Sequence, residues 1–75
     1  MNKQRRKRIS GIVSLLEVIK NNLKDVLSDE EMCYDNMPEN LQGSVRSETA
    51  EESIDVLDDV IDTIDDCIDR LNEII

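Results

Sequence analysis

Seventy-five residues carrying 18 acids against 9 bases, a net charge of −9, leave room for one small domain. His, Trp and Phe are absent and Tyr34 is the only aromatic residue. Without His there is no base poised near neutral pH, no imidazole ligand and no Ser-His or Cys-His dyad, so the chain is not expected to be an enzyme and no catalytic, cofactor-binding or metal residue is assigned.

A high net charge favours disorder unless enough apolar residues are present to form a core. Leu, Ile and Val number 22, and 20 of them fall within residues 9–27 and 54–75. That concentration predicts two ordered segments. The opening MNKQRRKRISGIVSLLEVI imitates a signal peptide, but Ser14 and Glu17 interrupt its apolar stretch, Lys20 closes it and no small-residue cleavage site follows. No apolar run approaches the roughly 20 residues that span a bilayer. Cys33 and Cys67 are two thiols without a disulfide framework. A soluble cytoplasmic protein, without a membrane partner, is the expectation.

The first helix is expected from about residue 3 to about residue 33. Ile9, Ile12, Leu16, Ile19, Leu23 and Val26 step by threes and fours, with Val13 and Leu27 flanking that row. Gly11 inside it lowers helix propensity and would fit a close approach by another helix. The connector spans residues 34–46. Asn36 with Glu39 reads as a capping box, Pro38 suits a first helical turn and Gly43 is a natural helix stop. A short helical turn is expected there, folding Tyr34, Met37 and Leu41 over the end of the helices. Arg46 is placed to bond the last carbonyls of that turn or to pair with an acid.

The second helix is expected from about residue 49 to residue 75, opened by a Thr49–Glu52 capping box. Its repeat IDVLDDV, IDTIDDC, IDRLNEI places Ile54, Leu57, Ile61, Ile64, Ile68 and Leu71 on an a/d seam, and Ile75 continues it. Val60, Cys67 and Ile74 at g widen the stripe, with Cys67 read as a small core residue. The predicted fold is all-α: an antiparallel two-helix hairpin with Ile9 near Ile75, Leu16 near Ile68 and Leu23 near Ile61. Two hairpins packed seam to seam would form a dimeric four-helix bundle, since one copy has little core of its own. The register sets Cys33 at the bend, on the order of 20–25 Å from Cys67, too far for a disulfide within the chain.

Charge is the most informative feature. Residues 1–24 sum to +6 and residues 25–75 to −15. The basic run Lys3, Arg5, Arg6, Lys7 and Arg8 reads either as a helix start paired with Asp69, Glu73 and the terminal carboxylate, or as a weak, non-specific phosphate contact. On the second helix Asp55, Asp58, Asp59, Asp62, Asp65, Asp66 and Asp69 occupy positions b, e and f. Three acids per heptad give one charge per roughly 3.5 Å of helix axis, close to the spacing of phosphates along one DNA strand, roughly 3.4 Å. Short Asp side chains at i,i+3 and i,i+4 cost helix propensity and repel one another. A solvated face is the plainer reading; a nucleic-acid mimic is the sharper one. The regular helix lacks the Gly turn and converging oxygens of a Ca²⁺ loop.

From Asp35 to Ser44 the string DNMPENLQGS resembles the connector of a group of small acidic helical proteins of Gram-positive bacteria and their phages, which share a basic opening and two helices. The resemblance implies a phage or mobile-element setting, in which short acidic proteins inhibit host enzymes, as anti-restriction and anti-CRISPR proteins do. It supplies a setting, not a mechanism. The expected partner is a protein with a basic, nucleic-acid-handling surface, engaged by the seven Asp residues with Tyr34 and Met37. The alternatives are an oligomerisation module acting through its seam, or a nucleic-acid binder acting through Lys3 to Arg8.

Overall fold

The computed structural model describes residues 1–38, 40 and 43–75 and consists of two helices, α1 (Lys3–Asp35) and α2 (Val45–Asn72), packed against each other as a hairpin. Its Cα atoms span 59 × 15 × 12 Å, so it is a rod two helices wide. α1 starts where Asn2, in extended conformation, accepts a hydrogen bond from the Arg5 N–H at 2.8 Å. That cap satisfies one orphan donor at a helix start that holds no acid in its first turn.

The helix ends differ from those expected. Asn36 closes α1 instead of opening a turn: its N–H reaches the Met32 carbonyl at 3.0 Å. Glu39, its proposed capping partner, and Leu41 lie outside the described residues. α2 begins at Val45, not near residue 49, because Ser44 caps it, its hydroxyl accepting from the Ser47 N–H at 3.3 Å. Gly43 precedes that cap at φ +80°, a left-handed conformation that favours glycine. Thr49 is therefore an interior residue whose hydroxyl donates to the Val45 carbonyl at 2.8 Å. Glu48 in the first turn and Arg70 in the last both suit the α2 dipole. Met37 is buried, which closes the bend end.

Two cross-helix pairs set the register. Lys20 meets Asp65 and Tyr34 meets Glu51, so partners sum to 85, within one residue of the expected alignment of Leu16 with Ile68. On α2 the predicted seam holds from Ile54 to Leu71: Ile61 and Ile68 are 6% and 5% exposed, and Ile54, Leu57, Ile64 and Leu71 are half-buried, whereas Ile75, expected to continue it, lies exposed beyond the end of the helix at Asn72. The seam continues backwards through buried Ala50 and Ser47.

On α1 the seam is rotated from the one expected. The residues turned inward are Ile9, Val13, Leu16, Lys20, Leu23, Leu27, Glu30 and Tyr34, an unbroken alternation of fours and threes. Ile12, Ile19 and Val26, expected in the core, are 50%, 48% and 52% exposed. Both rows share Ile9, Leu16 and Leu23, so aliphatic content alone does not choose between them. The observed rotation lets Lys20 and Tyr34 reach acids on α2, which the other would swing into solvent. Cys67 is likewise exposed, as is Cys33, and both are free thiols. A Cβ added at Gly11 would meet nothing within 4 Å, so no close helix approach explains that glycine. No described helix is long and apolar enough to cross a membrane.

Candidate functional site

An antiparallel pair of heptads turns its e positions to one side and its g positions to the other. The e side is polar. There the Lys20 ammonium donates to an Asp65 carboxylate oxygen at 2.7 Å, the only ion pair within 4 Å among the described residues. Lys20 occupies an a position of the seam, so its methylene stem is mostly buried while its charge reaches the edge. Further along, the Tyr34 hydroxyl donates to a Glu51 carboxylate oxygen.

These contacts shift the groups involved. The hydrogen bond to Asp65 holds the Lys20 ammonium above its ordinary value, partly opposed by burial. The same bond, helped by the Lys20 and Lys24 charges, holds Asp65 below the usual carboxylate range. The bond to Glu51, then desolvation, pushes the Tyr34 phenol up. Asp65 therefore contributes stability above the ordinary carboxylate range and loses it as pH falls through its lowered value; Lys20 contributes below the ordinary lysine value and loses it as pH rises through its raised one. The melting temperatures of the wild type and Asp65→Asn should differ by about one or two degrees near neutrality, because the carboxylate is half exposed. The curves should converge at both extremes of pH. A gap that stays constant across the range would show that the pair contributes through packing alone.

The acidic ladder lies on the b, e and f faces of α2. Asp55, Asp58, Asp59, Asp62, Asp65, Asp66 and Asp69 are all exposed on one continuous helix, and among them Asp65 alone has a cationic partner. Tyr34 and Met37, expected beside them as partner contacts, belong to the hairpin itself: Tyr34 is half-buried against α2 and Met37 is buried. The five basic residues Lys3 to Arg8 are exposed on the first turns of α1 and form no ion pair with Asp69 or Glu73. Arg46 is exposed and forms no ion pair among the described residues. No group of three or more metal-ligating side chains forms among the described residues.

The g side is apolar. Ile12, Ile19 and Val26 on α1 and Val60, Cys67 and Ile74 on α2 lie exposed along it. Shallow grooves follow this side from end to end. One of about 620 Å³ is lined by Leu16, Cys67, Arg70, Leu71, Glu73 and Ile74. A second of about 460 Å³ lies between Val26 and Glu30 on α1 and Glu52, Ser53, Val56 and Leu57 on α2. The third lies between Arg5, Arg8, Ile9 and Ile12. Reading the exposed row of α1 as core concealed this face, although the repeated Ile, Ile, Val at seven-residue intervals was there to be found.

Comparison with known proteins finds no matching family model, no matching curated protein and no matching solved structure.

Proposed function

We propose that this chain is a non-catalytic interaction protein that engages the basic, nucleic-acid-handling surface of another protein and inhibits or modulates it, as a nucleic-acid mimic does. One observation carries the reading: seven Asp residues form a single exposed face along α2, and six of them have no cationic partner among the described residues. Like charges so close on one helix destabilise it, and pairing with Lys at i,i+4 would have removed that cost. A rigid helix holds the carboxylates at a fixed spacing, which is what a partner adapted to a phosphate row requires. On this reading the chain is an inhibitor of the anti-restriction or anti-CRISPR kind, which is in keeping with the similarity of its connector to those of phage-type acidic proteins.

The test is capture from bacterial host lysate by the tagged protein at low and high salt, with duplex DNA added as competitor. The expected result is a nucleic-acid-binding protein retained at low salt, released at high salt and displaced by DNA. Capture that ignores both salt and DNA would exclude the mimic and point to an adaptor role. The exposed bases of the α1 start, which form no ion pair among the described residues, support a second reading, direct binding of nucleic acid. It predicts a gel shift of random DNA by the chain alone, lost on deleting residues 1–8.

A further inference from the structure

The hairpin leaves more surface in water than its size requires. A compact monomer of 8.6 kDa exposes about 4,700 Å²; this chain exposes 5819 Å². The excess, about 1,100 Å² on that scaling, exceeds the roughly 800 Å² that each partner contributes to a standard interface. One broad side of a rod 59 Å long and 15 Å wide is about as large as that interface demands. The g side is the side with the apolar surface to fill it, and its central stretch, from Ile12 to Val26 and from Val60 to Cys67, has no charged residue at g.

Charge at the two ends of the rod decides what can cover this face. The open end, residues 1–13 and 67–75, carries six bases against Asp69 and Glu73, a net +4. The bend end, residues 25–52, carries nine acids against Arg46, a net −8. On the apolar side itself the grooves at the open end are rimmed by Arg5, Arg8 and Arg70 against Glu73, and the groove nearest the bend by Glu30 and Glu52. A second copy laid on the face with its bend at the opposite end sets each positive end against a negative one. A copy laid with bends together sets like against like.

We propose that the g side binds a second copy of the chain in antiparallel orientation, giving a two-fold symmetric four-helix bundle in which α1 faces α1 and α2 faces α2. Ile19 lies on the two-fold axis, Ile12 of each copy faces Val26 of the other, and Arg8 comes opposite Glu30. The bundle interface is thus this second apolar row and not the a/d seam, which α1 and α2 already bury in one another. The e side and the acidic ladder stay outside, so the assembly stands whether or not that ladder engages a partner.

Sedimentation of the full chain tests the face, and cysteine cross-linking tests the orientation. At roughly 0.1 mM the wild type should sediment as a dimer, an affinity that an interface of this size reaches easily. Ile19→Glu, which brings two carboxylates to the axis, should weaken association about a hundredfold or more and keep its helical circular dichroism. In Arg5→Cys/Cys67→Ser, the new thiol faces Cys33 of the second copy, and diamide should oxidise the two to an intermolecular disulfide. A disulfide within one chain is barred there, since residues 5 and 33 are separated by about 42 Å of helix. A monomeric wild type, or a dimer indifferent to Ile19→Glu, overturns the proposal; a dimer that forms no cross-link overturns its antiparallel orientation.

Discussion

Ile61→Asp is expected to abolish the hairpin at room temperature, while Ile12→Asp leaves a dilute solution of the chain fully helical. Both substitutions exchange an isoleucine for a carboxylate in the middle of a helix, and both positions sit in an apolar three-four row. They differ in surroundings: Ile61 is 6% exposed and turned toward α1 at the level of Leu23, whereas Ile12 is half exposed. A carboxylate at position 61 would lose its water without gaining a cation, a cost of several kcal/mol. A two-helix domain with five buried apolar residues among those described has little to set against it. The milder Ile61→Ala should cost about 2–4 kcal/mol and lower the melting temperature accordingly. Circular dichroism melts at low concentration, where association through the g side does not contribute, make the comparison. Equal losses at positions 12 and 61 would mean that α1 turns its Ile12, Ile19 and Val26 row into the seam.

The contrast between these sites also marks where sequence reasoning stopped. The α2 seam could be read without ambiguity because its heptad is aliphatic at every a and d position from Ile54 to Leu71, and the antiparallel register followed from the bend to within one residue. α1 offered two rows with the same spacing. The all-aliphatic one looks the better core, but the row that packs passes through Lys20, Glu30 and Tyr34. What selects it is tertiary: Asp65 and Glu51 stand on the facing helix to receive Lys20 and Tyr34. A lysine at an a position commonly specifies register at some cost in stability, and its spacing of four from Leu16 and three from Leu23 was the available signal. The start of α2 is ambiguous in sequence for a related reason. Thr49–Glu52 and Ser44–Ser47 are both acceptable openings, and the glycine before Ser44, with its positive φ, decides for the earlier one. The acidic ladder, by contrast, follows from the heptad alone, because exposed b, e and f positions need only the phase of the helix.

The triple variant Asp58→Asn, Asp59→Asn, Asp62→Asn is expected to separate binding from folding. These three carboxylates stand on the outer face of α2, are exposed and have no cationic partner among the described residues. Asp65 is left intact because its removal would also release Lys20. Asp and Asn have similar helix propensities. The substitutions also remove repulsion between Asp58 and Asp62 at i,i+4, between Asp59 and Asp62 at i,i+3, and from the flanking Asp55 and Asp66. The melting temperature of the variant should therefore equal or exceed that of the wild type. Its affinity for a basic partner surface should fall about tenfold or more at low salt, and the dependence of that affinity on salt should become shallower, since fewer ion contacts remain to be screened. A stability gain with binding unchanged would reduce the ladder to a solvated surface and leave the apolar side as the chain's working face. A binding loss accompanied by lost helicity would assign these aspartates to folding, against their exposure and mutual repulsion. Only the combination of firmer folding and weaker, less salt-sensitive binding fits carboxylates kept close together for the sake of a partner.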